Sequence, residues 1–190
     1  MHRSTTGFAI ALAGVCSLIF PAVGGGAPST TPAAQEVRTP TVAIADAYLA
    51  TLAREFPEAG TANDLPGTDH GALSDNTTAG IARWRAYEDS VLQQLRAVDP
   101  RSLGTGADRV LHGVLLDQVE RDVGVRVCRL ELWGVASYVN GWQASLTDLA
   151  RVQPAGTDEL RALALQRARA IPRYIDNEVV LLQLGLRAGY

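Results

Sequence analysis

From Thr39 onward, apolar side chains return at steps of three and four, in blocks closed by proline or by Gly- and Asp-rich stretches. That period belongs to the α-helix. No run alternates apolar and polar residues about a two-residue turn, and Asn140-Gly141 is the one signal of the hairpin kind. A chain so written is expected to be all-α, an irregular bundle of about five to six helices.

The blocks read as follows. Thr39 caps a first helix with Pro40 at its first position, and Val42, Ala45, Leu49, Leu52 and Phe56 form its face until Pro57 stops it. Residues 57–75 read as a long loop, of the length that serves a function or covers something. A second helix is capped near Asp75 to Thr78, lined by Ile81, Trp84, Tyr87, Val91, Leu95 and Val98, and ended by Asp99-Pro100. Thr105-Gly-Ala-Asp108 has the form of a capping box with Asp for Glu. It opens a third helix, with Leu111, Leu115, Val119 and Val123 at steps of four, joined by Val114 and running towards Leu130. A short fourth pattern covers residues 144–152 and a fifth starts at Thr157. Pro172 either breaks the fifth or opens a last helix faced by Ile175, Val179, Leu182 and Leu186.

The first 38 residues are of another kind. His2 and Arg3, an uncharged apolar run over residues 8–20 and a Gly-rich stretch to Ala27 have the layout of a secretory signal, with an apolar run short for a membrane span. Residues 1–27 are therefore expected to be a signal peptide, 28–38 a flexible tether, and 39–190 the folded part. Export places the mature N-terminus between Gly25 and Gln35, in a secreted, periplasmic or cell-envelope setting, with membrane contact only transient. Val15 is a poor residue before a lipid-attachment cysteine, so Cys16 reads as part of the apolar run and a lipoprotein is not expected. Cys128 is then the one cysteine left, with no internal partner, and reads as a small buried hydrophobe.

At 190 residues, 47% hydrophobic and 19% charged, with a formal net charge of −3, the chain is globular and gives no electrostatic case for nucleic acid. The motifs of site chemistry are missing from the sequence. His112 is followed by Gly-Val-Leu-Leu, so there is no HExxH pair; there is no Cys-x-x-Cys, no Gly-x-Ser-x-Gly and no Gly-x-x-x-x-Gly-Lys loop. Asn76-Thr77-Thr78 has the form of a glycosylation acceptor. Asp117 with Glu120, and Asp176 with Glu178, read as solvated helix faces. Glu131 stands in an apolar setting beside Arg126 and Arg129 and reads as half of a buried Glu–Arg pair. Trp133, Asn140, Trp142 and Gln143 offer indole and amide groups, as a packed turn or, with Glu131, as the lining of a cleft.

Two stretches resemble a known family: Cys128-Arg-Leu-Glu-Leu-Trp133 with Gly141-Trp142-Gln143, and Gln153-Pro-Ala-Gly-Thr-Asp158 with Arg167, Ile171-Pro-Arg-Tyr-Ile-Asp176 and Leu186-Arg-Ala-Gly-Tyr190. They are similar to the bacterial family called domain of unknown function 885, whose members resemble secreted helical zinc peptidases with an HExxH helix. The resemblance spans about residues 45–190 and implies that this chain is the N-terminal part of a larger helical metallohydrolase-like fold. The metal ligands of the family fall outside that span, so no catalytic or metal residue carries over. Zinc is expected only in a complete member, and the chain alone is expected to be inactive and to hold none. The alternative is a stand-alone extracytoplasmic helical module for binding or structure. The last helix, apolar on more than one side, is expected to be covered by a missing C-terminal part or to self-associate.

Overall fold

The computed structural model describes residues 39–104, 106–134 and 142–190, apart from the Trp142 side chain. Residues 38–190 form one compact unit. The expected leader and tether, Thr105, Asn140, Gly141 and the Trp142 side chain lie outside the described residues. Among those described the secondary structure is helical throughout: α1 (Pro40–Glu55), α2 (Pro57–Ala62), α3 (Thr78–Ala97), α4 (Gly106–Val125), α5 (Leu130–Trp133), α6 (Trp142–Val152) and α7 (Asp158–Ala188), with 3-10 turns at Pro100–Ser102 and Arg126–Cys128. The all-α expectation holds. Two helices, α2 and α5, are shorter than two turns.

The caps follow local chemistry. Thr39 Oγ1 accepts from the Val42 amide, Thr77 Oγ1 from Gly80 and Thr157 Oγ1 from Leu160, each meeting an amide that the first helical turn leaves unpaired. At the other end of α7, Gly189 takes the left-handed backbone, φ 85°, that closes a helix C-terminus. Asp108 accepts from the Thr39 hydroxyl at 3.3 Å and so ties α4 to the start of α1.

The core joins three helices. Tyr48 of α1, Val91, Leu92 and Leu95 of α3, and Leu115 and Val119 of α4 pack together, flanked by Ile44, Ala45, Trp84, Tyr87, Leu116 and Val123. Tyr48, Phe56, Trp84 and Tyr87 form an aromatic cluster, with Phe56 edge-on to Trp84 at 4.8 Å between ring centres. His112 is buried and directs Nε2 at the Leu95 carbonyl, 2.9 Å away.

Two expected faces, those of α1 and α7, are rotated, while that of α4 holds at Leu115, Val119 and Val123 but not at Val114. On α1 the buried positions are Thr41, Tyr48, Thr51 and Ala53, while Leu49 is exposed. On α4 Val114 is 63% exposed and the polar His112 takes an inside place. On α7 Arg167, Leu181 and Gly185 are inside, and Val179 and Leu186 are out. On α4 and α7 a side chain that reaches a hydrogen-bond partner, His112 or Arg167, or a glycine permitting close approach takes an inside place, whereas the buried Thr41 hydroxyl of α1 has no hydrogen-bond partner among the described residues.

Proline punctuation also differs from expectation. Pro57 ends α1 but opens α2, because its fixed φ and missing amide suit a first helical position. Pro172 neither breaks nor opens a helix: α7 runs unbroken through it for 31 residues, about 46 Å at the usual rise. Proline costs the Ala168 carbonyl its partner, but Ala168 is exposed and water can take that place. Tertiary bonds hold the helix on both sides, at Arg167 and at the Tyr174 carbonyl.

α4 stops short of Leu130. Arg126 turns back onto α3, donating to Glu88 at 2.6 Å, to Asp89 at 2.7 Å and to the Arg85 carbonyl at 3.1 Å. Burial pushes the Glu88 carboxyl above its usual range, and the bond from Arg126 opposes that only in part. Arg129 then adopts a left-handed backbone, φ 48°, which redirects the chain into α5.

A candidate binding cleft between α2, α6 and α7

The break at Phe56-Pro57 aims α2 so that Glu58, Ala59 and Ala62 face α6. On α6, Ser145, Leu146, Asp148, Leu149 and Val152 recur at one to four residues and share a face. Phe56, Ser74 of the following loop and Tyr174 of α7 complete a cleft of about 470 Å³. That is within the range of about 300–1,000 Å³ typical of small-molecule sites.

The segment that carries Glu58, Ala59, Ala62 and Ser74 of the lining is held by one side chain. Arg167 of α7 is 3% exposed and inserts under residues 57–72. Its Nε donates to the Ala72 carbonyl at 2.7 Å. Nη1 donates to Thr61 Oγ1 at 3.0 Å and Gln153 Oε1 at 2.6 Å, and Nη2 to the carbonyls of Asp69 at 2.8 Å and Pro57 at 3.5 Å. A guanidinium has five N–H donors, and all five are spent on uncharged oxygens. Burial lowers the Arg167 pKa, opposed by the charges of Glu58 and Asp69. Gln153 returns a bond to the His70 carbonyl at 3.1 Å, and the Thr61 hydroxyl meets His70 Nδ1 at 3.0 Å.

A second brace stands beside the first. Asn76 donates to the Tyr174 carbonyl at 2.9 Å and to Glu178 Oε1 at 2.8 Å, and accepts from Asn177 at 2.8 Å. Its amide is therefore buried and engaged, which removes the glycosylation reading of this position. Glu58 Oε1 accepts both the amide and the hydroxyl of Ser74 at 2.9 Å. Its other oxygen, Oε2, is out of contact with water and has no hydrogen-bond partner among the described residues.

Burial and the charges of Glu178 and Glu58 push the Tyr174 phenol up to about 12, with the Ser74 hydroxyl acting the other way. The unfolded phenol titrates near 10, so the stabilisation from keeping it neutral is complete below about pH 10 and is lost as pH rises from there towards 12. Tyr174→Phe is expected to flatten the fall in stability over that interval. Denaturant melts of both proteins at pH 9, 10 and 11 check it, and identical pH dependence would refute the assignment.

The residues singled out from sequence lie elsewhere. Glu131 is half-buried on α5 and pairs with Arg85 at 3.0 Å and Arg129 at 2.9 Å, whereas Arg126 has gone to α3. Burial raises the Glu131 carboxyl, but Arg129, its own backbone amide and Arg85 together outweigh it and hold it below its usual range. Trp133 is 46% exposed, its Nε1 donating to the Cys128 carbonyl at 2.7 Å. Neither lines the cleft. Gln143 is exposed at the start of α6, and Cys128 is exposed too, against expectation, because α4 ends before it. Asp117 pairs with Arg121 and Glu120 with Arg96 on solvated faces. Glu58, Ser74 and Tyr174 were not singled out, and Gln153, Arg167 and Tyr174 stood only in the family motifs.

His112 and His70 are spent on Leu95 and Thr61, in different elements. No group of three or more His, Cys, Asp or Glu side chains that could hold a metal ion occurs among the described residues. No described helix is long and apolar enough to cross a membrane.

The model of a family described as "Bacterial protein of unknown function (DUF885)" matches residues 57–190. No curated protein and no solved structure matches the chain. The matched stretch begins at the proline that opens α2 and holds all of the cleft lining except Phe56, together with both braces. The chain thus belongs to that bacterial family of unknown function, DUF885.

Proposed function

We propose that these residues form the substrate-binding wall of a secreted, hydrolase-like protein of the family and carry no reaction of their own. The observation behind this reading is the cleft, apolar along α6 at Leu146, Leu149 and Val152, with a buried arginine that spends its donors on Gln153 and on the 57–72 segment from which Glu58, Ala59 and Ala62 reach the lining. Such bracing is more than a surface loop needs for stability, and it suits a wall that must keep its shape when a ligand enters. The zinc-hydrolase chemistry implied by the family resemblance would then come from another part of a longer protein. The α7 positions Val179, Val180 and Leu186, 46%, 50% and 74% exposed, are where that part would pack.

The purified chain is expected to hydrolyse no peptide, to hold no stoichiometric zinc, and to bind a hydrophobic dye or self-associate. Val180→Gln with Leu186→Gln is expected to reduce dye binding without changing the helical circular dichroism. Peptidase activity with one tightly held zinc per chain would overturn the assignment of roles. A monomer that binds no dye would overturn the covered face.

A further inference from the structure

We infer that the outer face of α4 docks a second copy of this chain, packed antiparallel across a two-fold axis level with Val119. Val110, Val114, Asp117, Arg121, Gly124 and Cys128 follow one another at steps of four and three, which keeps them along one side of α4 and its closing turn. All six are exposed, while the other side of the same helix buries His112, Leu115 and Val119. Val110 and Val114 stand 65% and 63% out, one turn apart.

The order of the row names the partner. About an axis level with Val119, Asp117 faces Arg121 of the second copy, and Arg121 faces its Asp117. Val114 faces Gly124 and Val110 faces Cys128, so each branched side chain meets a small one. A methyl group at Gly124 would have nothing within 4 Å, so the place opposite Val114 is open. The pairing is reciprocal, as an isologous interface requires. Within one chain Asp117 and Arg121 pair at 3.1 Å, with side chains 68% and 58% exposed, and such a surface pair contributes little alone. Two copies set antiparallel alternate the four charges between flanking valines, whereas a parallel pair would set like charge on like. Glu120, near the centre of the row, is neutralised by Arg96 of α3 at 2.8 Å. An unrelated apolar partner would gain from the valines but not from this charge order, which a copy of the same row answers residue for residue.

The test is sedimentation equilibrium of the intact chain carrying Val180→Gln and Leu186→Gln, which removes association through α7. A dimer is expected with a dissociation constant on the order of tens of micromolar, since one pair of helices of 20 residues lies at the small end of specific interfaces. Asp117→Arg and Arg121→Asp, made separately, are each expected to weaken it about tenfold or more. An equal mixture of the two is expected to form a heterodimer at least as tight as the original. Both variants break the same pair within a chain, so loss of that pair cannot produce recovery on mixing. Val110→Cys, with Cys16→Ser, is expected to link to Cys128 of the second copy on mild oxidation. With Val110 in place no link is expected, because the two Cys128 lie about 27 Å apart along the pair. A monomer at about 500 μM, a mixture no tighter than its components, or a link between the two Cys128 overturns the proposal. Association of the unsubstituted chain that vanishes with Val180→Gln and Leu186→Gln overturns it too, and leaves the covered face of α7 standing. Thermal melts of each variant show that it is folded.

Discussion

Replacing Arg167 with leucine is expected to cost about 3–5 kcal/mol of stability. Each bond from a charged donor contributes about 1.5–3 kcal/mol when measured singly. The five here share one guanidinium whose burial is itself costly, so they do not add. What the substitution leaves behind decides the size: the Gln153 amide oxygen, the Thr61 hydroxyl and the carbonyls of Pro57, Asp69 and Ala72 all lose a donor where water is scarce. Arg167→Lys restores the charge but has three donors on a flexible stem, and is expected to recover less than half. Urea unfolding gives the magnitudes. Hydrogen exchange is expected to quicken through residues 57–76 and little in α3 and α4, since the Tyr48–Leu95–Val119 core does not touch this network. Uniform acceleration over all helices, or a loss under 1 kcal/mol, would contradict the bracing role.

Gly185→Ala is expected to destabilise by about 2–3 kcal/mol, although alanine is the better helix former. A methyl group at this position would run into the backbone carbonyl oxygen of Leu132, with the carbonyl carbon 2.7 Å away. Backbone cannot turn aside as a side chain can, so α5 must lift from α7, taking with it buried Leu132 and the Glu131–Arg85 pair. Gly113 on α4 is the control, because a methyl group there meets nothing within 4 Å. Gly113→Ala is expected to stabilise by about 0.5–1 kcal/mol through helix preference alone. Thermal or urea melts of the pair separate the effects by sign. Two stabilised proteins would mean that α5 and α7 do not pack as closely as described.

How much of the site could be read beforehand depended on the kind of signal. Caps were legible at Thr39, Thr77 and Thr157, since a hydroxyl beside the first helical turn acts within three residues of itself. The core face of α3 was legible at Val91 and Leu95 for a similar reason, as the helical period repeats inside one element. Arg167 was not. An arginine on an amphipathic helix looks the same whether it points to water or beneath a loop about a hundred residues earlier in the chain. Glu58 was hidden by its place just after Pro57, in a stretch read as loop because one proline stops a helix and starts another with the same geometry.

The sequence by itself determined that the chain is helical, where most helices begin, and that the Gln153, Arg167 and Tyr174 motifs belong to one family. The helical character and the helix starts follow from local bonding and periodicity, which each segment carries with it, and the family rests on likeness of sequence. Only the tertiary structure decided which side of α1 and α7 turns inward, that α7 passes unbroken through Pro172, and that Glu58, Ser74 and Tyr174 meet across the cleft. Those outcomes are set by which distant oxygen needs a donor and which backbone can come close. That information lies in pairs of residues far apart along the chain and in neither member alone.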